Sequence, residues 1–190
     1  MMKFMRIRDV KFPNRNVGED AGFDFFVPEF SLEFLKELKE LNPWIEIVET
    51  PFYGVKLRNN RLRTTASESG IFVMPGDDIL IPSGIKSSFN NNIELEVNNK
   101  SGVCRKQKFQ CGACIIDSSY QGEIGIHIIN YSKDLCTHLD FGQKMVQLIP
   151  KLIDLTKPEF VDGFTNPELQ KSFYSEKTSR GSGGFGSTGI

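Results

Sequence analysis

The chain has 190 residues and a net charge of −1, from 23 basic and 24 acidic side chains. This length suffices for one domain with its own core, and 39% hydrophobic with 25% charged residues is typical of a soluble globular protein. The nearly balanced charge does not favour nucleic acid or an anionic membrane as the main partner. A small polyanion bound in a local basic pocket remains compatible with it.

Membrane and export signals are not expected from the sequence. No apolar run approaches the roughly 20 residues that a membrane-spanning helix needs. Residues 1–10 include basic side chains, but no apolar stretch follows them, so we expect no secretory signal. Four cysteines, without the density of a small secreted framework, indicate free thiols and a cytoplasmic location, or the host cytoplasm if the source is viral.

The first strongly patterned element is a predicted helix. Ser31 is a typical N-cap, and Asn42-Pro43 is a typical stop signal. Between them, apolar residues recur at helical spacing: Leu32, Phe34, Leu35, Leu38 and Leu41. A short strand over residues 44–48 and an exposed polar loop over residues 58–69 are predicted to follow.

Short apolar runs separated by turn residues dominate the rest of the chain. The predicted strands are residues 71–73, 79–81, 93–97, 124–129 and 145–149, with turns at 75–78 and 82–84. Ile124, Ile126 and Ile128 are expected to share one buried face, and Pro150 is expected to end the last strand. Many short strands at this spacing indicate a β-sandwich or a jelly-roll-like barrel.

The C-terminal segment, residues 180–190, reads RGSGGFGSTGI and contains five glycines. Such a segment cannot hold a helix or a strand alone, and one interpretation is a disordered tail. However, Arg180, Phe185, Ser187 and Thr188 place a cation, an aromatic ring and two hydroxyls among glycines that let main-chain N–H groups approach an anion. A tail of this composition is suited to folding over a nucleotide.

Five segments resemble, in order, the five motifs of the trimeric dUTPase family. They are AGFDFF at 21–26, NKSGV at 99–103, GACIIDSSYQGE at 112–123, GQKMVQLIP at 142–150 and RGSGGFGSTG at 180–189. The resemblance implies an all-β fold, a distorted jelly roll with a small helical insertion at about residues 29–70. It further implies a β domain over residues 1–175, and a tail over residues 176–190 that closes over an active site.

The same resemblance implies an activity and an assembly. Members of the family hydrolyse dUTP to dUMP and pyrophosphate by attack of water on the α-phosphorus, which limits uracil in DNA and supplies dUMP for dTMP synthesis. Three subunits share each active site. The implied partners are therefore dUTP and two further copies of the chain, with neither nucleic acid nor membrane involved, and the implied cofactor is Mg²⁺.

Catalysis and base reading are expected in the third motif. By resemblance, Asp117 is the carboxylate that orients and activates the attacking water, although an aspartate at such a position can also simply cap a turn. Tyr120 resembles the tyrosine that leaves no space for a 2′-hydroxyl. Main-chain groups of the hairpin at 111–116, including those of Cys111, Ile115 and Ile116, would read uracil as a base-pairing partner does.

Phosphate binding is expected from the second and fourth motifs. Lys100, Ser101 and Gly102 correspond to the phosphate-contacting Arg-Ser-Gly of the family, and Gln147 to the glutamine of the fourth motif. Asp24 matches the aspartate of the first motif, which resembles a water-mediated neighbour of Mg²⁺. The ion itself is expected mainly on the triphosphate oxygens, since Mg²⁺ usually keeps several waters.

Specific roles are also expected for the tail by resemblance. Phe185 would stack on uracil and Arg180 would clamp the γ-phosphate. Gly186 belongs to the same substrate-binding segment, and Ser187 and Thr188 would donate hydrogen bonds.

Four positions depart from the family pattern. Lys100 replaces the usual arginine, which keeps the charge but loses the forked guanidinium. Cys111 replaces an asparagine of the hairpin, Cys114 a glycine, and Ser119 a second aspartate. These changes are concentrated in the base pocket, so an enzyme with relaxed pyrimidine selectivity is one alternative.

Three further alternatives come from other features. The pair Cys111-x-x-Cys114 could bind zinc, but it lacks a second half-site at a recognisable spacing. A dCTP deaminase of related fold would carry a glutamate where this chain has His127. The insertion at 29–70 could dock a protein partner in a nucleotide-regulated manner, although an amphipathic helix more often packs on its own domain.

Overall fold

The computed structural model describes residues 1–48, 54–56, 70–162, 164–166, 168, 172–174 and 176. The described residues contain, in chain order, β1 (Lys3–Arg6), β2 (Phe23–Phe26), α1 (Leu32–Leu41), β3 (Glu46–Val48), β4 (Gly54–Lys56), β5 (Gly70–Val73), β6 (Asp78–Pro82), β7 (Ile85–Ser88), β8 (Ile93–Asn99), α2 (Ser101–Gln107), β9 (Phe109–Cys111), β10 (Ile115–Ile116), β11 (Gly125–Asn130), β12 (Thr137–Leu139) and β13 (Lys144–Leu152). The predominance of short strands confirms the predicted all-β class.

The chain divides into two compact units, Met1–Asp154 and Leu155–Ile190. All the strands and helices named above lie in the first unit. Every described side chain of the second unit is exposed. The predicted loop at 58–69 and the tail residues Arg180, Phe185, Gly186, Ser187 and Thr188 lie outside the described residues. No described helix is long and apolar enough to span a membrane.

Four sheets make up the first unit. Their strand orders are β1-β7, β10-β8-β13-β2, β6-β11-β9 and β12-β5-β4-β3. Neighbouring strands are antiparallel, except for the parallel pair β4 and β5. The turn after β5 is hydrogen-bonded from the Asp77 N–H to the Met74 carbonyl at 3.0 Å, and it leads the chain from one sheet to another, as the turn signal at 75–78 predicts.

The core lies between the sheets and follows the predicted alternation. Ile124, Ile126 and Ile128 are each at most 1% exposed, whereas Gly125 and His127 are half-buried. Alternate residues of a strand point to opposite faces, so the three isoleucines form one apolar face. This confirms the predicted face and leaves the side chain of His127 on the opposite one.

The predicted strand end at Pro150 is wrong. Strand β13 continues through Pro150 to Leu152, and Pro150 pairs with Leu95 of β8. On the other side, pairing with β2 ends at Leu148. Pro150 therefore lies where β13 has a strand neighbour on one side only, and a residue without an N–H group is tolerated there.

Helix α1 begins and ends as predicted. The Phe34 N–H donates to the Ser31 hydroxyl at 3.2 Å, and Asn42 is the C-cap. Phe34, Leu35 and Leu38 are at most 2% exposed and belong to the main core, whereas Leu32 at the first turn is 70% exposed. The apolar stripe of the insertion is thus largely covered by its own domain.

Asn42 fixes the end of this helix to a sheet edge. It is fully buried, and its Nδ2 donates to the carbonyls of Leu38 at 2.7 Å and Leu80 at 2.8 Å. Its Oδ1 accepts from the Leu80 N–H at 2.8 Å. Because β6 is an edge strand, Asn42 pairs main-chain groups that would otherwise be left open on that side.

We expect Asn42→Ala to lower the free energy of unfolding by about 2–4 kcal/mol, because it leaves the N–H and carbonyl of Leu80 unpaired beside the core. Urea unfolding at one fixed protein concentration measures this change. Asn91→Ala, at an exposed position, is the matched control and should stay within about 0.5 kcal/mol of wild type. Equal effects of the two substitutions would contradict the assigned role of Asn42.

Candidate active site

The hairpin at 111–116 spans two sheets. Its first strand, β9, pairs with β11, and its second, β10, pairs with β8. The Cys111 N–H donates to Asn99 Oδ1 at 2.8 Å, and the Cys114 carbonyl accepts from the Val97 N–H at 2.7 Å. These contacts hold the predicted base-reading segment along β8. They place Cys111, Ile115 and Ile116 on one rigid support.

His127 holds the tip of this hairpin from β11. Its main-chain carbonyl accepts from the Gly112 N–H at 3.0 Å, and its Nδ1 accepts from the Ala113 N–H at 3.3 Å. Since Nδ1 is an acceptor here, the proton lies on Nε2, which donates to Asp78 Oδ2 at 2.9 Å. A Cβ at Gly112 would lie 2.1 Å from His127 Nδ1, so the contact requires glycine.

From the sequence, His127 only marks the position where a dCTP deaminase of related fold would carry a glutamate, and its contacts with the hairpin were not predicted. The available signal was His127 together with Gly112, because only a residue without a side chain admits an imidazole so close. That signal needs the strand register, which single-sequence patterns do not supply.

A tight turn follows the hairpin and carries Asp117, the predicted catalytic base, and Tyr120, the residue predicted to exclude a 2′-hydroxyl. The Tyr120 N–H donates to the Asp117 carbonyl at 3.1 Å, so the main chain of Asp117 closes the turn. The Asp117 side chain is exposed. Tyr120 is 46% exposed, and its hydroxyl donates to the Glu123 carbonyl at 2.8 Å. A Cβ at Gly122 would lie 2.3 Å from that hydroxyl, so glycine is needed for the tyrosine to reach back.

A compact cationic cluster lies at the other end of β8. Lys100 and Lys144 each bind one oxygen of the buried Asp24 carboxylate, Lys144 at 2.6 Å. Lys144 also donates to Asn16 Oδ1 at 2.8 Å. Burial alone would raise the pKa of Asp24, but the hydrogen bonds and charges of the two lysines outweigh burial and hold that pKa below its ordinary value.

The predicted phosphate-binding residues meet at this cluster. Gln147 of β13 pairs with Asp24 of β2 on one side and with Asn98 of β8 on the other, and its Nε2 donates to the Asn99 carbonyl at 3.2 Å. The exposed Ser101 and Gly102 begin α2 directly after Lys100. Sequence reasoning missed both α2 and Lys144. Lys144 lies three positions before Gln147 in the fourth motif, and a basic residue so near a predicted phosphate-binding residue is the signal that could have indicated it.

The turn at 117–120 and the cationic cluster lie apart within one chain. Asp117 follows Ile116, which pairs with Leu95, whereas Lys100 lies five residues further along, just past the end of β8. At about 3.3 Å per strand residue, the main chains of the two segments are on the order of 15 Å apart. A ligand that contacts both segments within one chain would have to span this distance.

Asp24, which was predicted to lie near Mg²⁺, is bound by two lysines in the structure. Both oxygens of Asp24 bind ammonium groups, and the described part of the chain contains no group of three or more His, Cys, Asp and Glu side chains that could hold a metal ion. All four cysteines are free. The donor set therefore does not fit a Mg²⁺ ion held by protein side chains alone.

The fold is all-β and of jelly-roll type, and it carries a cationic cluster at one end of β8. The dUTPase family model matches residues 66–189. Relatives named deoxyuridine 5′-triphosphate nucleotidohydrolase include that of Rickettsia bellii, 30% identical over 67% of this chain and 78% of its own. That of Chlamydia pneumoniae is 33% identical over 64% of this chain and 78% of its own. The chain belongs to the dUTPase family.

Solved structures show the same fold. The Staphylococcus bacteriophage 80alpha dUTPase with dUpNHpp has a TM-score of 0.66 at 16% identity, covering 100% of this chain and 99% of its own. A mutant dUTPase from phage phi11 of S. aureus, described with a structural Mg(II) ion, has a TM-score of 0.59 at 17% identity, covering 86% and 98%.

We expect Asp24 to add a pH-dependent component to stability. A carboxyl whose pKa is lowered on folding stabilises the folded chain above its unfolded pKa, about 4 for aspartate, and this contribution is lost as the pH falls through the folded pKa. Asp24→Asn should therefore reduce the free energy of unfolding most at neutral pH and progressively less in acid. Urea unfolding between pH 3 and 7 checks this, with the exposed Asp9→Asn as control. A pH-independent difference from wild type would contradict it.

Proposed function

We infer that this chain hydrolyses dUTP to dUMP and pyrophosphate. The observation that carries the inference is the hydrogen-bonded turn after the hairpin, in a chain that belongs to the dUTPase family. This turn presents an exposed carboxylate, Asp117, three residues before an exposed aromatic ring, Tyr120. An exposed carboxylate can accept a proton from water. An aromatic ring that is fixed by a hydrogen bond of its own hydroxyl can form one wall of a sugar pocket.

Asp117 is proposed to orient the attacking water and accept its proton. Attack on the α-phosphorus in line with the leaving pyrophosphate needs little covalent chemistry from the protein. A positioned base and neutralised phosphate charge supply most of the rate enhancement. The main-chain carbonyl of Asp117 closes the turn, so its carboxylate is not needed for that purpose.

The cationic cluster is proposed to bind the phosphates. Lys100 and Lys144 share one carboxylate, so the three side chains together carry one net positive charge. Ser101 and Gly102 supply hydroxyl and main-chain donors beside Lys100, and Gln147 supplies an amide. Lys100 acts as a point charge where an arginine would form a bidentate contact.

Uracil is proposed to be read by main-chain groups of the hairpin at 111–116. A pocket built on hydrogen bonds rejects a mismatched base more strongly than one built on shape alone. The contacts of Cys111 with Asn99 and of Ala113 with His127 keep this main chain in one geometry. Support of this kind favours selective base reading despite Cys111 and Cys114.

The complete site is proposed to form in a homotrimer. The separation of Asp117 from Lys100 within one chain supports a site shared between copies. Arg180, Phe185, Gly186, Ser187 and Thr188 would then close over it, with Phe185 on uracil and Arg180 on the γ-phosphate. A monomeric mass by light scattering under assay conditions would contradict the trimer.

Mg²⁺ is proposed to arrive on the triphosphate oxygens rather than on a protein site. Membership of the dUTPase family supports a magnesium requirement, and the two lysines on Asp24 leave it at most a water-mediated contact. The free cysteines support a reducing compartment, and we propose the cytoplasm.

The deaminase alternative is not favoured. The relatives are named as dUTP nucleotidohydrolases. In addition, both ring nitrogens of His127 are engaged in holding the hairpin. Docking of a protein partner on the stripe of α1 is not part of the proposal, because Phe34, Leu35 and Leu38 are already buried in the domain.

We expect Asp117→Asn to bind dUTP while its turnover falls by about 10²- to 10⁴-fold, the usual contribution of a general base. Pyrophosphate release measures turnover, and calorimetry with the analogue dUpNHpp measures binding. Asp134→Asn, an exposed aspartate in the loop after β11, is the matched control. Turnover of Asp117→Asn at the wild-type rate would show that Asp117 is not the base.

A further inference from the structure

Arg8 joins the insertion to the segment that follows the catalytic turn. Its guanidinium binds Glu123, with Nε at 3.0 and 3.2 Å from the two carboxylate oxygens and Nη2 at 2.9 Å. The same Nη2 binds the carboxylate of Glu37, on helix α1. The side chains of Arg8 and Glu123 are 12% and 11% exposed, so this ion pair is largely withdrawn from water.

Glu123 in turn holds Tyr120. One carboxylate oxygen of Glu123 accepts from the Gly84 N–H at 2.6 Å, which fixes the side chain from a second direction. Its main-chain carbonyl accepts the Tyr120 hydroxyl at 2.8 Å. A continuous path of hydrogen bonds and ion pairs therefore runs from Glu37 through Arg8 and Glu123 to Tyr120.

A cavity of about 200 Å³ lies along this path. It is lined by Glu37, Leu41, Leu80, Pro82, Tyr120, Glu123 and Gly125. The insertion helix forms one wall and Tyr120 another, so packing does not fill the space beside the ring. Tyr120 is itself 46% exposed, so its ring is not enclosed by packing, and the hydrogen bond of its hydroxyl to Glu123 holds it in one position.

Arg8 binds the two carboxylates, those of Glu37 and Glu123, that meet at the centre of this path. Two carboxylates bind the same guanidinium nitrogen and lie close together in a partly buried place. Removing the arginine would leave two like charges facing each other, with Glu123 only 11% exposed and Glu37 35% exposed, which is an unfavourable arrangement. Glu123 would have to move, and the carbonyl that holds Tyr120 would move with it.

We propose that Arg8 is a positioning residue for Tyr120, and that the insertion, through Glu37, sets how strictly the enzyme distinguishes deoxyribose from ribose. This inference rests on the proposed function, in which Tyr120 bounds the sugar pocket. It gives the insertion a role inside the enzyme. Sugar selectivity would respond to a side chain on α1, which lies outside the five motifs.

The test is the ratio of kcat/KM for dUTP to kcat/KM for UTP. A merely structural defect lowers both values together, because the unfolded fraction cancels from the ratio. A displaced ring opens space at the 2′ position and lowers the ratio alone. Displacements of about 1 Å in an active site can change rates by about 100-fold, so an effect of this origin is measurable.

The expected order of effects follows from the contacts. Arg8→Gln should lower the ratio about tenfold or more, within the range expected for a misplaced group. Arg8→Lys should rescue it in part, since an ammonium group keeps the charge but loses the fork. Glu37→Gln should lower it by less, because Arg8 still binds Glu123. Glu40→Gln, exposed on the same helix, should leave it unchanged.

The proposal is overturned if the ratio stays at the wild-type value in Arg8→Lys and Glu37→Gln, the two variants with the least risk of unfolding. Failure of the proposed function would look different, because wild type itself would then release no pyrophosphate from dUTP. In that case the same variants are compared by their relative affinities for dUMP and UMP. Equal relative affinities in all of them would also overturn the proposal.

Discussion

The pairing of β13 with strands on both sides is the interaction on which the rest of the molecule depends. Its residues pair with β8 from Val146 to Leu152 and with β2 from Lys144 to Leu148. This alignment puts Asp24, Gln147 and Asn98 in one row, which brings the first, second and fourth motifs together. A register shift of one residue would turn the Gln147 side chain to the opposite face of the sheet and separate it from the cationic cluster.

The same sheet also separates the two groups of proposed site residues within one chain. Strand β8 carries the cationic cluster at one end and the hairpin at 111–116 along its edge, while the turn at 117–120 leaves towards the opposite end. Symmetric association is the simplest way for separated halves to meet, since every copy then supplies each half once. The charge of the cluster, held by one buried carboxylate, is suited to a polyanion supplied from solution.

The sequence predicted correctly the helices and strands that have a clear apolar periodicity or typical capping residues. Ser31, Asn42 and the apolar spacing between them indicated α1 correctly, and the alternation around Ile126 indicated β11. The end of β13 was predicted wrongly at Pro150, because whether a proline ends a strand depends on which side has a neighbour. Helix α2 has no buried residues and thus no apolar period to detect.

Much of the candidate site was likewise foreseen from motif residues, and the rest required three-dimensional contacts. Lys100 and Gln147 were expected to bind phosphate and Asp24 to lie near Mg²⁺, and the structure brings the three together, with Asp24 bound by lysines. Lys144 and His127 were missed, because each acts through a partner distant in sequence. Arg8 and Glu37 lie outside every motif, so only the fold connects them with Tyr120.

Pyrophosphate release by the purified wild-type chain with Mg²⁺ and each of dUTP, dCTP, dTTP and UTP tests most directly whether the chain is a selective dUTP-hydrolysing enzyme. We predict fast release from dUTP, accompanied by dUMP, and much slower release from the other three nucleotides. Comparable release from dCTP would contradict selective base reading by the hairpin. No release from any of the four would contradict the assignment of the chain as a dUTP-hydrolysing enzyme.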